Sequence, residues 1–184
     1  MLWIKRFIVI LSLALVPTYA GAADLSLLDQ ENLLKLRLKD GVVAIEMRPD
    51  KAPNTVARVK ELVRLGFYDG LTFHRVIEGF MVQGGDPRGD GTGGSGVPLA
   101  AEFNSLRMIR GRVAMARQPD DVNSADSQFF IMLATTRMPD QYTAWGRVVD
   151  GMQYVDNIKK GHKGMNGQVE FPDRIFRAWI AADE

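Results

Sequence analysis

The sequence predicts a mostly β domain of short antiparallel strands accompanied by two helices. Three observations lead there. An Asp40-Gly41 pair separates two apolar-rich runs, six further apolar runs are divided by Gly, Pro and Asp, and only two stretches carry helical spacing.

Residues 33–39 and 42–47 flank Asp40-Gly41, and a two-residue Asp-Gly turn has the backbone twist that pairs antiparallel strands. Ala52-Pro53-Asn54-Thr55 then opens a helix of about three turns: Val56, Val59, Leu62 and Val63 recur at three- and four-residue spacing, and Gly66 stops it. Strands follow over 71–77, 80–83, 111–116, 129–133 and 144–149. A second helix is predicted over 152–160, with Met152, Val155 and Ile158 on one face. Lys159 and Lys160 complement its carbonyl end and Gly161 caps it. Residues 174–181 supply the last of eight strands. Such a pattern suits a closed barrel, where closure removes exposed edges, and equally an open sandwich. The glycine-rich residues 84–96 are expected to form a long ordered loop.

At 184 residues the chain is expected to form one domain able to bury a full core without cross-links. Its 46% apolar and 24% charged residues are ordinary for a globular protein. Residues 1–22 read as a secretory signal peptide, leaving 23–184 as the mature domain. Lys5 and Arg6 precede an apolar run over 7–16 broken only by Ser12, and Pro17 and Ala20-Gly21-Ala22 supply a turn and a small-residue cleavage pattern. The run falls short of the roughly 20 residues a bilayer requires. Leu2, Trp3 and Ile4 leave an uncleaved membrane anchor as the alternative. A short signal with no retention tail points to the bacterial periplasm, and the lack of cysteine suits an oxidising compartment. Loss of Lys5 and Arg6 turns the net charge from +1 to about −1. With no basic face or run, neither nucleic acid nor an anionic membrane is an expected partner of the mature chain.

The chemistry concentrates in Phe73-His74-Arg75-Val76-Ile77-Glu78-Gly79-Phe80-Met81-Val82-Gln83-Gly84-Gly85-Asp86, which sets one fixed cation and one side-chain amide beside a bulky apolar pair. That set suits a neutral amide held in an apolar pocket. This stretch, followed in order by Ser127-Gln128-Phe129-Phe130-Ile131, resembles the two signatures of the cyclophilins, a family of peptidyl-prolyl cis-trans isomerases. The resemblance covers nearly all of 23–184. It implies a closed eight-stranded antiparallel β-barrel capped by two α-helices, a monomer, and flexible proline-containing polypeptides as partners. It implies neither a cofactor nor a metal.

Residue by residue, the resemblance makes Arg75 the catalytic cation and Gln83 a contact to substrate backbone that also holds Arg75. Phe80, Met81, Phe130 and Met138 become the proline socket. Phe80 and Met81 are neighbours, and neighbours on a regular strand face opposite ways, so a bend is expected there. Gly91 and Thr92 match the groove edge, Gln128 a groove glutamine, and Ala116 with Arg117 a segment that meets peptide backbone. Arg117 stands where asparagine is common. In 137–142 no tryptophan aligns, Tyr142 takes the place of a histidine, and tight cyclosporin binding is not implied. A non-catalytic module that holds proline segments would use the same groove. Gly89-Asp90-Gly91-Thr92-Gly93-Gly94 satisfies a G-x-G-x-x-G pattern but lacks the acidic residue that a dinucleotide site needs. His74 and His162 alone make no zinc pattern, and His74 reads as a core residue.

Overall fold

The computed structural model describes residues 24–139 and 141–184; the expected signal segment lies outside the described residues. Eight strands follow in chain order: β1 (Leu33–Arg37), β2 (Val42–Met47), β3 (Arg75–Ile77), β4 (Met81–Gly84), β5 (Arg112–Met115), β6 (Phe129–Met132), β7 (Ala144–Asp150) and β8 (Arg177–Ile180). Helix α1 (Pro53–Arg64) connects β2 to the segment before β3, and α2 (Met152–Asp156) follows β7. Every strand pairing is antiparallel, in the spatial order β3-β4-β6-β5-β7-β2-β1-β8.

The eight strands and two helices are those expected, but β3, β8 and α2 are each shorter by four residues. Residues 71–74 do not join β3, because their hydrogen bonds run to the segment before β8: Phe73 N–H donates to Asp173 O at 3.0 Å and Ile175 N–H to Leu71 O at 2.9 Å. β8 starts at Arg177 for the matching reason. Helix α2 stops at Asp156 since Lys159 N–H donates to the Asp173 carboxylate at 2.8 Å instead of continuing the helix. Gly161 is not its cap; its N–H donates to Val76 O at 2.9 Å, and a Cβ there would lie 1.8 Å from Gly167 O.

A closed barrel was expected, whereas the structure shows a curled eight-stranded sheet whose edge strands β3 and β8 do not pair with each other. Isolated bridges Thr72↔Arg174 and Arg75↔Gln168 span the gap. Asn166 and Phe171 both have φ of 52°, and Gly167 has φ of 81°, a backbone that cannot extend a pleated ladder.

Side-chain alternation divides the strands between two faces. Leu34, Leu36, Val43, Ile45, Val82, Val113, Met115, Phe129, Ile131 and Trp145 form one buried cluster, which Val56, Val59, Leu62 and Val63 of α1 and Val155 of α2 complete. Met81, Ala114, Phe130, Met132 and Ala144 face the other way and form a second cluster.

Helix α1 has Ala52 at its N-cap, a residue with no side chain able to cap. A distant carboxylate serves instead. Glu102 accepts from Asn54 N–H at 2.9 Å, Thr55 N–H at 2.8 Å and Thr55 Oγ1 at 2.7 Å, against the positive end of the helix. Burial pushes the Glu102 carboxyl pKa up, but the bonds from Thr55 and Asn54 outweigh this and hold it below 4.5. Glu102→Ala is expected to lower unfolding free energy by about 1–2 kcal/mol in urea titrations, with Gln restoring part of the loss. In the wild type this contribution is present above pH 4.5 and is lost as pH falls through the lowered folded-state value.

Candidate active groove

The β3–β4 register makes Arg75 and Gln83 cross-strand partners, and Arg75 Nη1 donates to Gln83 Oε1 at 3.0 Å. The bond fixes the amide's orientation. Gln83 Nε2 donates to Gln128 Oε1 at 2.9 Å, and Gln128 Nε2 donates to the carbonyls of Gly91 at 3.0 Å and Gly93 at 2.8 Å. One polar relay therefore runs from the glycine loop to the guanidinium.

Asp86, buried at 1% exposure, shapes the far end of this relay. Its carboxylate accepts from the backbone N–H of Arg88 at 2.8 Å, Asp90 at 3.1 Å and Gly91 at 2.6 Å. Burial raises its pKa, yet the backbone donors of Arg88, Gly91 and Gly93 win and keep it a carboxylate. A Cβ on Gly93 would lie 2.1 Å from Asp86 Oδ1, so only glycine lets the loop wrap this closely. Thr92 sits on the loop with its hydroxyl donating to Asp90 Oδ1 at 2.7 Å.

The other side of Arg75 is held by a residue the sequence did not single out. Arg75 Nε donates to Asn166 O at 3.0 Å and Nη2 to Asn166 Oδ1 at 2.9 Å. Asn166-Gly167 is a recognisable turn pair, which locates a turn but not its proximity to β3, since 91 residues separate Asn166 from Arg75. Burial lowers the Arg75 pKa while Tyr142 opposes the shift, and the group remains a cation at any working pH.

Phe80, Met81, Phe130, Met138 and Tyr142 share the second apolar cluster and make a cup beside the guanidinium. The bend expected at Phe80-Met81 is present. Phe80 closes a turn by donating its N–H to Ile77 O at 3.0 Å, with Gly79 at φ 71°, and Met81 begins β4. Phe130 meets Tyr142 edge-on, with ring centroids 5.5 Å apart. Trp145 is fully buried on β7 within the inner cluster and takes no part in the cup.

Arg117 does more than offer backbone. Its Nε donates to Gln141 O at 2.8 Å, Nη1 donates to Gln118 O and Pro119 O, and the guanidinium lies 5.3 Å from the Tyr142 ring centroid. It ties the 117–119 segment to the one bearing Tyr142. The Ala116 N–H donates to Gln128 O at 2.9 Å, which continues the pairing of β5 with β6. Arg75, Gln83, Gly91, Thr92, Ala116, Arg117 and Gln128 all line one cavity of about 720 Å³ together with the apolar cup. All twelve residues singled out from the sequence thus meet in one groove, joined there by His74 and Asn166.

A curled antiparallel sheet that carries an apolar cup beside the Arg75 guanidinium is the architecture of the cyclophilin class. The profile of the family described as cyclophilin type peptidyl-prolyl cis-trans isomerase/CLD matches residues 33–179, and the chain belongs to that family of isomerases. It is 49% identical over 95% of its length to a probable peptidyl-prolyl cis-trans isomerase of Brucella suis, covering 92% of that protein. It is 41% identical over 67% of its length to peptidyl-prolyl cis-trans isomerase B of Bacillus subtilis, covering 88% of that protein. Among solved structures it is similar to the cyclophilin AquaCyp293 from Hirschia baltica (TM-score 0.74, 28% identity, 85% of this chain and 76% of that one). It is also similar to a Cryptosporidium parvum cyclophilin-type isomerase crystallised in the presence of the dipeptide Ala-Pro (TM-score 0.70, 26% identity, 80% of this chain and 98% of that one).

His74 is buried at 5% exposure, and among the described residues neither ring nitrogen has a partner at hydrogen-bond geometry. Burial lowers its pKa below 6.5, with the Asp86 carboxylate opposing, so the folded protein holds it neutral. The unfolded chain takes up this proton first as pH drops. The stability from keeping this imidazole neutral is therefore expected to be fully present above pH 6.5 and to be lost as the pH falls through the lowered folded-state value. His74→Phe should flatten that slope in urea titrations; equal slopes in both proteins would show a charged imidazole in the fold.

Proposed function

We propose that the groove accelerates rotation about X-Pro bonds while secreted proteins fold, acting in the bacterial periplasm as a monomer after removal of residues 1–22. In this reading two isolated bridges, in place of a continuous ladder, bring the edges of the sheet together as a barrel. Rotation about an X-Pro amide is opposed by resonance worth about 18–20 kcal/mol, and uncatalysed isomerisation limits many folding reactions. No nucleophile, metal or proton transfer is required. The enzyme has to hold the ring, relieve the resonance and leave one flank free to turn.

The observation that carries the proposal is the environment of Arg75. Its Nε, Nη1 and Nη2 each donate to a neutral oxygen, and no carboxylate neutralises it among the described residues. Two of its five N–H bonds remain for a substrate. The prolyl ring enters the cup of Phe80, Met81, Phe130, Met138 and Tyr142, next to this charge. A guanidinium N–H donated to the prolyl nitrogen favours the pyramidal nitrogen of the transition state over the planar one of either isomer. Substrate backbone on the flank that stays fixed is held by the second amide N–H of Gln83 and by the Ala116 carbonyl. Its own N–H already being engaged, Ala116 acts here as an acceptor.

Arg75→Ala is expected to reduce kcat/KM for an X-Pro peptide on the order of a hundredfold or more, with far-UV circular dichroism and unfolding midpoint close to wild type. Arg75→Lys should not rescue it, because an ammonium has no planar fork to engage Gln83 and Asn166 together. Near-normal turnover by the Ala variant would refute the mechanism. A wild-type protein that binds X-Pro peptide without accelerating its isomerisation would instead make the groove a holding module.

A further inference from the structure

A second cavity of about 660 Å³ opens beside the proline cup and shares Met138 and Tyr142 with the first. Its walls are the segments 104–109 and 135–139, joined by Thr136 N–H donating to Met108 O at 3.0 Å and Arg110 N–H to Thr135 Oγ1 at 3.2 Å. Leu106 and Met108 pack in the same apolar cluster as Met81, Phe130 and Met138. The two cavities therefore have one continuous apolar floor, with the Met138–Tyr142 wall between them.

Among the described residues, the charges on the rim of this second cavity have one sign. Arg107 and Arg137 line it, both are exposed, and no carboxylate lines it among the described residues. Elsewhere Arg48, Arg58, Arg64 and Arg110 each pair with an acidic side chain. Arg107 and Arg137 form no such pair among the described residues. The opposite end of the groove carries Asp90 and Asp126 instead.

We propose that this second cavity is a subsite for the flank of the client chain that leaves the proline cup over Tyr142, and that it selects segments bearing an Asp or Glu within about three residues of the proline. The occupant's identity as a proline-containing chain rests on the isomerase reading. Its acidic preference rests on the two arginines alone. An apolar neighbour of the acid rests on Leu106 and Met108, while the carboxylate meets Arg107 and Arg137 at the rim.

The test uses the purified protein and peptides with one X-Pro bond, in which Glu, Gln or Lys is scanned through three positions on each side. On one flank only, Glu is expected to raise kcat/KM over Gln on the order of threefold to tenfold, with Lys lower than Gln. Added salt should compress the ratio. The double variant Arg107→Gln/Arg137→Gln should bring it close to one, whereas Arg177→Gln, on β8, should leave it in place. Backbone amide resonances of Leu106 and Met108 should shift with the Glu peptide more than with the Lys peptide. Equal kcat/KM for Glu, Gln and Lys on both flanks, or a ratio that survives the double variant, overturns the proposal. If no X-Pro peptide turns over yet the Glu-selective shifts at Leu106 and Met108 persist and vanish in the double variant, the isomerase reading fails and the subsite stands. Shifts confined to Arg75 and Gln83 overturn the subsite.

Discussion

A guanidinium held by uncharged oxygens is the constraint around which the groove is built. An arginine paired with a carboxylate would be spent on its partner, and a wholly unsupported one would swing into water. Gln83 and Asn166 avoid both outcomes, because amide and carbonyl oxygens orient the fork without cancelling its charge. The first of these supports is itself supported. Gln83 is fixed by Gln128, Gln128 by the Gly91 and Gly93 carbonyls, and the glycine loop by the buried Asp86 carboxylate. The negative charge needed to order the loop therefore acts through backbone and two amides, with no carboxylate among the described residues touching Arg75.

The same strands that make the core make the groove, by alternation alone. On β6, Phe129 enters the inner cluster against Tyr68 and Trp145, while its neighbour Phe130 faces outward against Tyr142. On β4, Val82 goes inward and Met81 and Gln83 outward, one to the cup and the other to the relay. A one-residue slip of β4 against β6 would exchange these sets and put Gln83 in the core. Gly85 guards against that slip: at φ 87°, with Ser127 O only 2.5 Å from where a Cβ would stand, it pins the end of β4 to the start of β6. Ser127 Oγ donates back to Gly85 O at 2.7 Å.

Much of this was legible in the chain because the relevant information is local. Asp40-Gly41 marks the first hairpin, Val56, Val59, Leu62 and Val63 mark the helix face, and the two short signatures place Arg75, Gln83, Gln128 and Phe130. What escaped is long-range. Asn166 sits 91 residues from the arginine it orients. Glu102 caps a helix that begins some fifty residues before it, and only the fold brings it to Asn54 and Thr55. The closed ladder expected of the barrel fails for a local reason that the chain states obscurely, since Phe171, a bulky residue, adopts positive φ. Gly161 looked like a cap, and its close approach to Gly167 is set by tertiary packing.

Glu102 also links the stability of the fold to the shape of the groove. Its backbone N–H donates to Thr143 Oγ1 at 2.9 Å, and Thr143 O accepts from Met115 N–H at 3.0 Å, so the residue after Tyr142 is bound between the capping loop and β5. Two residues on, Asn104 Nδ2 donates to Ala144 O at 2.9 Å, and Leu106 and Met108 then form the outer floor. One loop thus caps α1, anchors the chain beside Tyr142 and walls the second cavity. Tyr142 is held from its other side by Arg117, whose cation rests on the ring. The Tyr142 wall is consequently an outcome of helix capping as much as of aromatic packing. Loosening the carboxylate cap would be felt first where the cup and its neighbouring cavity meet.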